Sequence, residues 1–184
     1  MNEARFIELA LANDVNRDIL ERLPALGLPD VWLVSGSLFQ TVWNVLTERP
    51  ADYGIKDYDI FCFDPDTSWE AEDEAIRRCA DFFANLDVEI ELRNQARVHL
   101  WYEEKFGAAY PPLHSSCEGI DRFLAPASMV GLQPDGTLYA PCGLSDIEAM
   151  TIRPNRVANF NAGRYAEKAA RWKAMWPELT VIAA

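Results

Sequence analysis

Residues 57–63, Asp-Tyr-Asp-Ile-Phe-Cys-Phe, constrain the fold of this chain more than any other segment. Successive side chains of an extended strand point to opposite faces. Tyr58, Ile60 and Cys62 therefore share one face, and Asp57, Asp59, Phe61 and Phe63 share the other. A strand of this kind belongs in a sheet covered by apolar elements on one side. Its other side must leave two carboxylates in polar surroundings, because an unpaired buried charge is costly. Acids beside aromatics on one face suggest a strand whose end emerges into a pocket.

The neighbouring segments supply the rest of such a fold. The apolar run Val31–Val34 predicts a short buried strand, Ser35-Gly36-Ser37 a tight turn, and residues 38–47 a helix ended by Arg49-Pro50. Residues 50–56 read as a loop. Asp66-Thr67-Ser68 can cap a helix running to about Asn85, with Glu70 and Glu72 in its first turn. Residues 88–92 predict a third strand. At the N-terminus, residues 4–23 place Phe6, Ile7, Leu11, Val15, Ile19 and Leu23 near one helical face, and Pro24 through Pro29 break it. A helix over 98–106 stopped by Gly107 and a short helix within 116–124 follow. Residues 129–140 read as a hairpin turning at Pro134-Asp135-Gly136. A final helix over 161–176 puts Tyr165, Ala169, Trp172 and Trp176 on one side. This order predicts an α/β (α+β) fold, a mixed β-sheet with helices packed on it. The 184 residues suit a single domain, 1–184, with a core at about 30–155 and helical flanks.

Charge and cysteines narrow the partners. A net charge of -12 repels polyanions, so a long nucleic acid is an unlikely partner, whereas a small anion becomes acceptable once metal ions neutralise its site. No apolar run approaches the roughly 18 residues that suggest a membrane span, and the N-terminus has no signal-peptide pattern. Cys62, Cys79, Cys117 and Cys142 are scattered, with no C-x-x-C pair, and Cys62 and Cys79, in apolar surroundings, read as reduced core residues. A cytoplasmic location is the expectation.

Phosphoryl and nucleotidyl transfer need two hard cations held by carboxylate oxygens, and backbone N–H donors for the phosphates, best supplied by a glycine turn that opens a helix. Both parts occur in order. Gly36 would let a phosphate approach the backbone, and the Ser37 hydroxyl and N–H could donate to it. Asp57 and Asp59 project together from one strand edge. Glu89 and Glu91 repeat that spacing on the third strand, and either one can complete a three-carboxylate site as a metal ligand or general base. Arg97 is a candidate phosphate contact; His99 is a candidate acid, base or ligand. Bland readings stand beside these. Gly36-Ser37 can be only a helix N-cap. Asp57 and Asp59 can be a solvated strand face, and Glu89 and Glu91 an edge strand's protection against aggregation. Arg97 and His99 can pin loop backbone. Trp101 or Tyr102 can stack on a base, with core packing as the bland reading. Arg153-Pro154-Asn155 can hold a loop near the site, with a purely structural role as its bland reading.

The strand, the Gly36-Ser37 turn, the Asp57-Tyr58-Asp59 strand and the later acidic strand together resemble the nucleotidyltransferase superfamily that includes DNA polymerase beta. Residues 32–64, 91–106 and 140–155 look like a family of bacterial nucleotidyltransferase-like proteins of unassigned substrate, with Asn94 to Tyr102 (NQARVHLWY) the most specific stretch. The resemblance implies Mg²⁺ (or Mn²⁺) at Asp57 and Asp59, an NTP substrate, and Glu91 as the third carboxylate. The stretch between Ser37 and Asp57 is longer than the superfamily's usual spacing, so residues 48–56 are expected to loop out. A nucleotide-binding or protein-interaction module with a decayed site is the alternative.

Overall fold

The computed structural model describes residues 1–157 and 159–184. Its centre is a five-stranded mixed sheet in the order β3-β2-β1-β4-β5. The strands are β1 (Trp32–Val34), β2 (Asp57–Cys62), β3 (Glu89–Asn94), β4 (Gly131–Leu132) and β5 (Leu138–Tyr139). β2 runs antiparallel to β1 and parallel to β3. β4 and β5 form the expected antiparallel hairpin.

The alternation of β2 is realised. Tyr58, Ile60 and Cys62 are buried on the inner face with Leu33 of β1 and Leu92 of β3. Four helices supply the other side of this core: α1 (Glu3–Ala10), α2 (Asp14–Arg22), α3 (Gly36–Leu46) and α4 (Trp69–Phe82). Phe6, Ile19, Leu38, Phe39, Trp43 and Cys79 are their main buried contributions. Ser68 caps α4 by accepting from Ala71 N, as its sequence suggests.

The outer face is covered only in part. Trp32, Val34, Ile120 and Met129 form a smaller apolar cluster, with Phe61, Phe123 and Tyr139 at its edge. Two short helices, α5 (Tyr102–Phe106) and α6 (Ser116–Ile120), precede β4 in the chain. The final long helix α8 (Ala162–Met175), after α7 (Ser145–Glu148), inserts Tyr165, Ala169 and Trp172 into the main core.

Two expectations need correction, and one small sheet lay outside them. The single helix over 4–23 is two helices, α1 and α2. Asn13 breaks it because its side-chain Oδ1 accepts from Val15 N while its Nδ2 donates to Thr41 and Tyr58, tertiary partners that outweigh helical continuity. The third strand starts one residue later than expected and extends to Asn94. Asn94 makes reciprocal bonds with the Asp64 backbone at 3.0 Å, so the strand end is tied to the loop after β2. A second, two-stranded parallel sheet joins β6 (Thr151–Ile152) to β7 (Thr180–Val181), in segments too short to show periodicity. Residues 48–56 do loop out. Asn44 Nδ2 donates to the Ala51 and Tyr53 carbonyls, and the Tyr53 ring sits edge-on to Trp176 at 5.9 Å.

Candidate active site

Strand register brings the carboxylates to one place. Asp59 lies opposite Glu91 on β3 and opposite Val34 on β1, while Asp57 lies opposite Glu89. Residues in register share a face, so all four acids stand on the outer face, at the end of β2 nearest the Ser35–Ser37 turn. Glu91 is the glutamate whose charge acts on Asp59. Glu89 is the more exposed of the two, its side chain 55% accessible against 32% for Glu91.

Asp59 carries the electrostatic load. Burial, then the charges of Asp57 and Glu91, push its carboxyl up to about 7, against the pull of Lys168 and Arg93. Its neighbours are neutralised locally. Asp57 accepts from Lys56 Nζ at 3.1 Å, and Glu91 accepts from Arg93 at 3.1 Å. The bond to Asp57 and its charge raise the Lys56 pKa. Among the described residues no three His, Cys, Asp or Glu side chains converge on one metal position in these rotamers. The donor set still suits a hard cation, being all oxygen and on one face. To share an ion, Asp57 and Glu91 must turn away from Lys56 and Arg93.

The turn before α3 is strained. Ser35 adopts φ 57° and ψ -114°, rare for a residue with a side chain. It is held by donation from Ser35 N to Val130 O at 2.8 Å, and by Leu38 N and Phe39 N donating to Ser35 O. A Cβ on Gly36 would meet only the Gln40 amide, at 3.1 Å. Space before this backbone is thus open, and the first N–H groups of an α-helix have no partner within it.

Two candidate phosphate contacts are placed differently from the sequence reading. Ser37 is fully buried and its Oγ has no partner among the described residues. The start of α3 packs against α1 and α2, where Asn16 Nδ2 donates to Ser37 O at 2.9 Å. Only the backbone of Ser37 is left to serve a phosphate. Arg97 lies past the far end of β3, in a shielded ion pair with Glu72, and it also donates to Thr67 O. It pins the acidic strand to α4 and does not join the carboxylates. Arg97 is therefore a clamp, as its blander reading had it. His99 Nδ1 is buried without a partner among the described residues.

Side chains that sequence reasoning missed complete the site. Lys168 of α8 faces Asp59 electrostatically. Protein packed around its ammonium lowers its pKa, Asp59 raises it, and Arg171 and Arg164 lower it. Arg164 precedes Lys168 by one helical turn. Two like charges at i and i+4 beside an apolar stripe oppose helix stability, and that was the available signal. Asn155 Nδ2 holds the Asp121 and Phe123 carbonyls at 2.9 and 2.8 Å, so the Arg-Pro-Asn segment does fix a loop near the site.

A nucleotidyltransferase family profile matches residues 21–181, and the chain belongs to that family. A solution structure described as revealing a CCA-adding enzyme head domain is similar in fold, with TM-score 0.72 and 25% identity over 91% of this chain and 88% of that one. The Bacillus stearothermophilus CCA-adding enzyme in complex with CTP aligns over 85% of this chain and 36% of its own, at 17% identity and TM-score 0.40. No curated protein sequence matches. Among the described residues, no helix is long and apolar enough to cross a membrane.

Proposed function

We propose that the chain transfers an NMP group from an NTP to a hydroxyl-type acceptor and releases pyrophosphate, using Mg²⁺ (or Mn²⁺) held by Asp57, Asp59 and Glu91. The observation that carries this is the register. Asp59 stands between Glu91 on one neighbouring strand and the strand that ends at the Gly36 turn on the other. When bound, the metal would neutralise phosphate charge and orient the α-phosphate for in-line displacement. The chain's own groups do the rest. The Gly36 and Ser37 backbone N–H groups face the β- and γ-phosphates. Asp57 and Asp59 orient the α-phosphate side, and Glu91 takes the acceptor's proton or holds the attacking oxygen. The acceptor oxygen bonds to the α-phosphorus, and the bond to the bridging oxygen breaks with its electron pair leaving on pyrophosphate. Lys168 adds a positive charge beside Asp59 that favours the anionic substrate.

Calorimetric titration of Mg²⁺ with a non-hydrolysable NTP, into wild type and the D57A/D59A double variant, tests the reading. Metal-dependent binding in wild type, weakened at least about tenfold in the variant, is expected. A variant that binds as well as wild type sinks it. The ion pairs that Lys56 and Arg93 make with the carboxylates favour one rival, a nucleotide-binding module without transfer. That rival predicts nucleotide binding indifferent to metal.

A further inference from the structure

The outer face of the sheet continues past Asp59 into a pocket of about 170 Å³ that the nucleotidyl-transfer reading leaves without an occupant. Phe61, two residues beyond Asp59 on the same face, forms one wall and stacks on Phe123 with ring centroids 5.5 Å apart and planes at 21°. Tyr102 and Tyr110 form another, their centroids 4.4 Å apart. A cavity of roughly 150 Å³ suffices for a benzene ring, so this one suits a single planar ring with a small substituent.

Charge says what the substituent is. Arg122, Arg164 and Lys168 line the pocket and no carboxylate does. Among the described residues none of the three has an acid within ion-pair distance. In a chain of net charge -12, three unpaired cations around one opening form a local anion trap.

A buried amide adds a polar demand. Asn159 is 2% exposed, lines the pocket, and donates through Nδ2 to Arg122 O at 3.2 Å and Tyr102 Oη at 3.3 Å. A peptide carbonyl only accepts, so this contact fixes which way the amide points. Its Oδ1 is then buried with no donor among the described residues. Buried acceptors are nearly always satisfied, and an N–H or O–H on a ligand would satisfy this one.

Register places the pocket relative to the phosphates. Val34 pairs with Asp59 and Trp32 with Phe61, so the Gly36 turn lies toward the Asp57 end of β2 and the pocket toward the opposite end. In-line transfer requires attack from the side opposite the departing pyrophosphate. Resting on the nucleotidyl-transfer reading above, we infer that this pocket is the acceptor subsite, and that the acceptor is a small hydroxylated compound with one planar ring and a carboxylate or phosphate group. Its hydroxyl oxygen forms the new bond to the α-phosphorus, and its hydroxyl proton passes to Glu91.

The test uses the full chain and three probes: 4-hydroxybenzoate, phenyl phosphate and phenol. Binding is followed by calorimetry and by tryptophan fluorescence, to which Trp101, one of six tryptophans, contributes from the pocket lining. The same titrations are run on K168M, at a surface position on α8, and on R122M, with melting curves to establish folding. The two anions should bind at least about tenfold more tightly than phenol, and each variant should erase most of that preference without changing phenol binding. Saturating Mg²⁺ with a non-hydrolysable NTP should leave the anions bound. Anions that bind no better than phenol, or that fold-competent variants bind unchanged, overturn the assignment. So does competitive displacement by the NTP, which would give the pocket to the nucleoside. Absence of any Mg²⁺–NTP binding overturns the nucleotidyl-transfer reading and the acceptor role with it. Wild type that shows no anion preference while its Mg²⁺–NTP binding is intact overturns the acceptor subsite alone.

Discussion

Gly36 and Ser37 are adjacent, yet one faces open space and the other the core. An alanine at 36 would press only on the flexible end of Gln40, so G36A should change stability by no more than about 1 kcal/mol. Its methyl would stand where a phosphate must approach, and calorimetry should show NTP affinity lowered about tenfold. Equal affinity for wild type and G36A would remove the turn from the binding site. S37A deletes a buried hydroxyl that has no partner. It should be neutral, or stabilising by up to about 1 kcal/mol in urea unfolding, with nucleotide binding unchanged. The sequence could rank these two residues only by motif. Which face of α3 the hydroxyl meets depends on Asn16 and the α1–α2 pair, and isolated buried amides leave no periodic mark. Asp57 and Asp59 were legible because a strand's alternation fixes their face without knowledge of any neighbour.

At the scale of elements, β2 was read from seven residues, and Ser68 announced α4 by its capping position. The failures lie where a tertiary contact sets a boundary, as at Asn13 between α1 and α2 and at Asn94 closing β3 against Asp64. The pocket was hidden for a related reason. Its walls come from β2, the stretch after β3, α5, the Tyr110 loop, α6 with the loop after it, Asn159 and α8, and no local pattern reports that segments so far apart in sequence meet. Arg97 illustrates the difference between a motif and a role. Its pair with Glu72 is shielded, with side chains 12% and 11% exposed, and Glu72 also accepts from Asn94 N. Breaking such a pair from one side leaves a charge uncompensated. R97M should therefore lose about 3 kcal/mol in urea unfolding. Mg²⁺–NTP affinity per folded molecule should stay within about twofold. A selective loss of nucleotide affinity without loss of stability would return Arg97 to the phosphates.

For the molecule as a whole, the acidic site works against the fold that presents it. Asp59 titrates at about 7 in the folded chain, against an ordinary value of 3.8. The folded state therefore keeps a proton that the unfolded state has already released. The stability this provides is full below about pH 4 and is lost as pH rises through about 7. Without metal, wild type should lose about 2–3 kcal/mol more than D59N between pH 5 and pH 8, because asparagine has no proton to lose. Urea unfolding of both proteins in a chelator at the two pH values measures this difference. A bound divalent cation favours the ionised carboxylate and binds only the folded chain, so saturating Mg²⁺ should flatten the wild-type slope and leave D59N nearly unmoved. Parallel pH slopes for the two proteins in the chelator would show that Asp59 is not strained by burial beside Asp57 and Glu91. A Mg²⁺ effect of equal size in both would place the ion elsewhere on this surface of net charge -12.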